Sequence, residues 1–319
     1  MCRIKFLFQF IVAFFIAVFA YENLYEPHAE SVRAEVQNVF PATWNDEKIA
    51  DIPQETLRIS ILDVGEAEAI LLQDGSRNIM IDVGDSRIDK MGNGGRAVLA
   101  AALQKAEVKK INTVIITHHH ADHMGNIMWL RGKFGVKNIY DNGYSNDKNP
   151  VSVRLNQDLN AGYYHHRVLK AGDKIDFGQG YYLDVLAPGD FIDSKLYNNI
   201  NNTSLVMKLH YGKFTMLLTG DAEVGVESAL QQKYGSFLKA DVLKVGHHGS
   251  KTSSNWYFIN KVKPDYALIS CGAPEIYHHP NKNVVGSLRH LGARVLTTVE
   301  HGTITVATDG EKFKVTTEK

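Results

Sequence analysis

Residues 111–126 read INTVIITHHHADHMGN, an apolar β-branched run that ends in four histidines and an aspartate. This stretch constrains the fold more than any other. The run predicts a buried strand, and side chains two apart on a strand point the same way. His118 and His120 therefore face one point in space, and His119 faces elsewhere. Asp122 and His123 follow where the chain should turn into a helix, and they can aim at a second point nearby. One histidine in a core or a loop needs no function. Four with a carboxylate among them predict a metal site.

The pattern before and after these histidines gives the architecture. "LRISILDV", "AILLQD" and "NIMIDVG" are short strands broken by Gly, Asp and Asn. Helical spacing recurs in residues 94–108, and "GNGG" at 92–95 reads as a turn before that helix, because no Lys-Ser/Thr follows it as in a phosphate loop. "IMWLRGKF" predicts a helix, "VKNIYDNG" a strand, and residues 150–162 a helix opening on Pro150. A meander through residues 165–188, a hairpin turning at "YGK", and a helix closed by Gly235 come next. "DVLKVGHHGS" is a strand ending in further histidines. The tail predicts a helix near 282–291 and strands "ARVLTTV" and "TITVATD". Two blocks of strands with associated helices predict two packed sheets with helices outside, forming one domain over residues 56–319.

The N-terminus differs. Arg3 and Lys5 precede "FLFQFIVAFFIAVFA", residues 6–20, and a polar segment follows. Fifteen mostly apolar residues behind two cations predict a secretory signal peptide or an uncleaved membrane anchor over residues 1–20. The run is short beside the about 20 residues that a spanning helix needs. Residues 21–55, with Pro27, Pro41 and Pro53, predict a linker. Either reading exports the domain, so that it is secreted, periplasmic or held on the outer face of the cytoplasmic membrane. Removing residues 1–20 leaves 33 cations against 35 acids and Cys271 as the single cysteine. No internal disulfide can then form, and no overall basic excess advertises a polyanion partner. Lys239, Lys244, Lys251, Lys261 and Lys263 could still form a local patch.

"THHHADHMGN" resembles the metal-binding signature of the metallo-β-lactamase-fold hydrolases. "LLTGDAE", "LKVGHHGSKTSS", "LISCG" and "YHHPNKNVVGSLRHLG" narrow the similarity to the extracellular hydrolase domain of ComEC-type competence proteins, over residues 57–308. The resemblance implies an α/β fold, an αββα sandwich with metals between the sheet edges. It also implies one or two divalent ions, zinc first and manganese second. Carried onto this chain, His118 and His120 hold the first metal, Asp122 and His123 the second, and Asp221 of "LLTGD" bridges both.

His247 or His248 completes the second site. Neighbours in a strand face opposite ways, which favours His247 as the ligand and leaves His248 to touch substrate or donate a proton. Asp82 of "MIDVG" is implied behind the ligands, Asn202 behind them or at the substrate rim, and His279 at the rim. Where relatives read Asp-Val-Gly-Gln-Gly-Asp, this chain has Glu66, Ala67 and Glu68 in the last three places. Asp122, Asp221 and His248 are the expected catalytic residues.

The implied reaction is hydrolysis by a metal-activated hydroxide. A phosphodiester is the expected substrate, with DNA the leading candidate. A lactam or lactone hydrolase of the same fold, and a metal-binding module without turnover, are the alternatives. Any membrane contact would run through residues 1–20.

Overall fold

The computed structural model describes residues 56–87, 95–272 and 278–319. The signal or anchor reading of residues 1–20, the linker reading of 21–55 and all but the last residue of the "GNGG" turn lie outside them. Among these residues, fifteen strands form two sheets. The first contains β1 (Leu57–Ile61), β2 (Ala69–Gln73), β3 (Asn78–Val83), β4 (Thr113–Ile115), β5 (Asn138–Asp141), β6 (His165–Val168), β14 (Ile304–Thr308) and β15 (Phe313–Thr317), in the order β15-β14-β1-β2-β3-β4-β5-β6. The second contains β7 (Lys174–Asp176), β8 (Tyr181–Ala187), β9 (Val206–Tyr211), β10 (Phe214–Leu218), β11 (Val242–Lys244), β12 (Tyr266–Ile269) and β13 (Arg294–Thr297), in the order β13-β12-β11-β10-β9-β8-β7.

The central strands are apolar nearly throughout because both faces of each sheet are covered there. In β3, Ile79 and Ile81 point into the core between the sheets while Met80 points out. In β2, Ile70 and Leu72 go in and Leu71 goes out. Their partners across the central layer include Leu183, Met207, Leu209, Met216 and Leu218 of the second sheet. Truncating one such side chain to Ala removes contacts worth about 2–5 kcal/mol.

Helices close the two outer faces. On the first sheet lie α1 (Gly95–Lys105), α2 (Ala121–Met124), α3 (Ile127–Phe134) and α4 (Pro150–Asn160), which contribute Leu99, Leu103, Met124, Leu130 and Leu155. On the second lie α5 (Val224–Tyr234), α6 (Trp256–Val262) and α7 (Lys282–His290), which contribute Leu230, Phe258, Ile259 and Leu288. The order of layers is αββα. Asn149, Asn255 and Asn281 cap α4, α6 and α7 by accepting a hydrogen bond from a first-turn N–H.

Three details depart from the sequence reading. The meander at residues 165–188 does not stay in one sheet: β6 pairs with β5 in the first, and β7 and β8 belong to the second. "ARVLTTV" is a strand only to Thr297, because Thr298–His301 forms a helical turn, α8, capped by the Thr297 side chain. The final strand β15 was not legible, since its side chains are only half-buried or exposed.

What positions the site is strand direction. β3 and β4 run parallel in the first sheet, and β10, β11 and β12 run parallel in the second. Each of these strands delivers a polar residue at or just beyond its C-terminal end: Asp82, His118, Asp221, His248 and Ser270.

Candidate metal centre

Asp221 lies three residues beyond β10, after Thr219 and Gly220. Gly220 has φ +50°, and a Cβ there would come within 3.0 Å of Ser204 and 3.1 Å of Thr117. The glycine lets the second sheet approach the first where the histidines begin. The Asp221 carboxylate is thereby buried at the junction. Its Oδ2 lies 3.2 Å from His123 Nε2, 3.7 Å from His248 Nε2, 3.8 Å from His247 Nε2 and 3.9 Å from His118 Nε2.

Four side chains converge on one point. Ligand atoms of Asp122, His123, Asp221 and His248 all lie within 4.8 Å of one another. His248 Nε2 is 3.3 Å from Asp122 Oδ2, and His123 Nε2 is 3.6 Å from the same oxygen. The Asp122–His123 segment comes from the first sheet, about a hundred residues before Asp221, and His248 follows Asp221 from the next strand of the second sheet.

Each imidazole is held from behind. Asp82 Oδ2 is 2.7 Å from His123 Nδ1, and the two oxygens of Asp82 also accept from Thr117 N at 2.8 Å and Thr117 Oγ1 at 2.6 Å. His248 Nδ1 donates to the Ser270 carbonyl at 2.9 Å. A carbonyl only accepts, so Nδ1 carries a proton and Nε2 is the ring nitrogen turned toward the cluster.

The cluster fits a divalent cation. His123 Nε2, His248 Nε2 and Asp221 Oδ1 are buried without a hydrogen-bond partner in the protein. Each such atom costs about 1–3 kcal/mol, and a cation held by this cluster would give the two imidazole nitrogens the partner they lack. The charges agree. Burial disfavours a charged His123, yet the Asp221, Asp82 and Asp122 carboxylates outweigh it and raise the pKa well above the ordinary histidine value. Burial opposes charge on His248 as well, and Asp221 and Asp122 push it up to about 9. The site demands positive charge. Two imidazoles and two carboxylates are the donor set of zinc, manganese or iron.

His248, where the sequence reading favoured His247, is the ring that joins this cluster. The alternation argument assumed a strand, but β11 ends at Lys244 and the next residues form a tight turn. His247 and His248 both have positive φ, 49° and 52°. His247 instead stands at the edge, with Nδ1 3.0 Å from Thr252 Oγ1 and Nε2 3.4 Å from Asn201 Nδ2.

The other expected residues divide. His118 is buried with Nε2 3.0 Å from His120 Nδ1, so these two rings meet beside Asp221 as a second potential donor pair. His119 points away, to Ser152 Oγ at 2.9 Å and to Asp141. Asn202 stands behind the site: its Nδ2 donates to Leu196 O in its own loop, and its Oδ1 accepts from Glu223 N, two residues after Asp221. His279 does stand beside the cluster, its ring 5.6 Å from His247 and 6.2 Å from His248. Its Nδ1 is 2.8 Å from Glu66 Oε1.

Several participants were missed. Ser204 Oγ accepts from Asp221 N at 3.0 Å and lies 3.3 Å from His118 Nδ1, and nothing in "NNTSLV" marks that serine as special. Lys244 is no part of a surface patch. It is fully buried, and its Nζ donates to Glu68 Oε2 at 2.6 Å and to Val245 O at 3.0 Å. Glu68 N in turn donates to Asp122 O. A buried ion pair thus ties β11 to the backbone of a cluster residue. The departure Glu68 could have signalled a buried partner.

Two sheets meeting at a His-Asp cluster, flanked by helices, define a metal-dependent hydrolase-type fold. Residues 62–273 match the metallo-beta-lactamase superfamily, and the chain belongs to it. Within that family its relatives include ComEC-type competence proteins. It is 33% identical over 211 residues to ComE operon protein 3 of Bacillus subtilis, a match covering 66% of this chain and 26% of that protein. It is 27% identical over 252 residues to competence protein ComA of Neisseria gonorrhoeae, covering 77% and 32%. The chain thus spans about a quarter to a third of the length of these relatives. Among solved structures, the fold is shared with the metallo-beta-lactamase fold protein YhfI of Bacillus subtilis, with a TM-score of 0.51 at 15% identity over 80% of this chain and all of that one. Igni18, a metallo hydrolase of Ignicoccus hospitalis, gives 0.50 at 15% over 78% and 98%. No helix among the described residues is long and apolar enough to cross a membrane.

Proposed function

We propose that this chain is an exported, metal-dependent phosphodiesterase, with a nucleic acid as its leading substrate. The observation that supports catalysis over mere folding is the pair of imidazole nitrogens left without protein hydrogen-bond partners beside the buried Asp221 carboxylate, His123 Nε2 and His248 Nε2. The similarity to competence proteins supports a nucleic-acid phosphodiester over a lactam. The leader-like residues 1–20 support export.

Asp122, His123, Asp221 and His248 would hold one divalent ion, zinc first and manganese second. His118 and His120 would hold another, sharing Asp221. Such ions supply Lewis acidity that makes water nucleophilic near neutral pH and stabilises charge on phosphoryl oxygens. The chain's own residues do the rest. Asp82 and the Ser270 carbonyl fix the tautomers of His123 and His248. Ser204 fixes the backbone of Asp221 and steadies His118. His247, tied to Thr252, and His279, tied to Glu66, flank the cluster where a leaving oxygen would need a proton. That moves the proton-donor role from His248 to these two.

The test is metal analysis of the purified chain, combined with hydrolysis of bis(p-nitrophenyl) phosphate, single-stranded DNA and a β-lactam by the same sample. The expected result is bound metal and diester cleavage, both lost in His123→Ala and Asp221→Ala. Cleavage of the β-lactam alone would make this a lactam hydrolase. Metal without turnover of any substrate would make it a binding module.

A further inference from the structure

The surface made by α6, α7 and the turn before them carries chemistry that the metal cluster does not use. Trp256 and Tyr257 open α6 with 40% and 70% of their surface exposed. Large rings are normally buried for their apolar area. Lys251 in the turn before α6, and Lys282 and Arg289 on α7, are exposed cations. None of the three forms an ion pair among the described residues, whereas Lys105, Arg154 and Lys213 elsewhere each hold a carboxylate. Across residues 245–272 and 278–299 the single acid is Asp265. It sits at the far end of α6, where its N–H donates to Asp241 O below the start of β11.

This face is laced to the metal centre. Asn281 N donates to Gly249 O at 2.8 Å, which fixes the start of α7 against the turn that carries His248. Thr252 Oγ1, one residue from Lys251, is 3.0 Å from His247 Nδ1. The Trp256 ring lies 5.6 Å from that of His290, so the exposed sides of α6 and α7 meet.

We infer that this face binds a single-stranded nucleic acid and leads it to the metal cluster. Bases stack on Trp256 and Tyr257, and backbone phosphates lie on Lys251, Lys282 and Arg289. A duplex hides its base faces inside its own stack and offers these rings little. An interfacial membrane site would use similar residue types, but a flat lipid surface has no need to converge on a hydrolytic cluster. The inference rests on the phosphodiesterase reading and names its substrate class.

The experiment measures fluorescence anisotropy of a labelled phosphorothioate oligothymidylate, about 20 nucleotides long so as to exceed one site. The metal-loaded full chain is the titrant, and the cleavage-resistant backbone keeps binding separate from turnover. The Trp256→Ala/Tyr257→Ala chain should bind about tenfold or more weakly, since each stacked base contributes appreciably. The Lys251→Gln/Lys282→Gln chain should flatten the slope of log Kd against log salt by about 1.4, at 0.7 per phosphate contact. Both variants should hydrolyse bis(p-nitrophenyl) phosphate at the wild-type rate. Unchanged strand affinity in both variants overturns the proposal. So does a loss confined to binding of phosphatidylglycerol vesicles, or equal binding of duplex and single strand by wild type and the aromatic variant. Failure to hydrolyse the small diester removes the phosphodiesterase reading instead, and strand binding is read independently of it.

Discussion

His248 Nε2 stands 3.3 Å from Asp122 Oδ2, which brings a residue following β11 of the second sheet onto one following β4 of the first. His247, one position earlier in the chain, has its ring nitrogens on Thr252 and Asn201. His248→Ala should therefore lose the metal of this cluster and its turnover. His247→Ala should retain the metal and lose rate. Mass-spectrometric metal analysis beside diester hydrolysis distinguishes them, and the reverse pattern would refute the cluster.

Asp82 grips His123 from behind at 2.7 Å while accepting two bonds from Thr117. Supports of this kind tune affinity without touching the metal. Asp82→Asn should weaken metal binding by about 10–100-fold, read by competition with a chelator of known affinity. Wild-type affinity in a folded Asp82→Asn chain would show that His123 needs no such support.

Lys244 and Glu68 are both buried, at 0% and 1% side-chain exposure. Removing one strands the other. Lys244→Met should cost about 3–5 kcal/mol, and the double variant Lys244→Met/Glu68→Leu should recover much of that loss. Urea unfolding of the two single variants and the double checks it. Additive losses would mean the two side chains do not interact.

Glu227 gives a pH dependence outside the metal centre. Burial pushes its carboxyl up to about 7, against hydrogen bonds donated by Asn255 N, Ser254 N and Asn255 Nδ2. Between its ordinary value of 4.5 and about 7, the unfolded chain loses this proton while the folded chain keeps it. Folded protein then binds more protons, so stability falls as pH rises through that window and levels off above it. The drop is on the order of 3 kcal/mol at most. Glu227→Gln starts less stable, because its amide nitrogen faces donors, but it should lack the drop. Parallel urea midpoints for both chains from pH 4.5 to 7.5 would exclude Glu227 as the source.

Much of the fold was legible because its strands announce themselves twice, by β-branched composition and by the Gly and Asp that end them. α3 lies where "IMWLRGKF" placed it, and α7 begins at Lys282 as its sequence indicated. β15 was invisible because a half-exposed edge strand has no apolar period to read. In the site, the His118–His123 string was legible because all its members are local. Ser204, Glu66 and the Lys244–Glu68 pair were not, because each gains its role from a partner far away in the chain.

The sequence by itself determined that imidazoles and carboxylates would gather at the ends of buried strands, because strand period and residue type are local properties. Which of two adjacent histidines joins the Asp122–Asp221 cluster was decided by a turn of positive φ at His247 and His248. Asn202 was tied to the backbone two residues after Asp221, and Lys244 was drawn from the surface into a buried pair. Those choices depend on where the second sheet's chain ends lie against the first. Only the packing of the two sheets sets that distance.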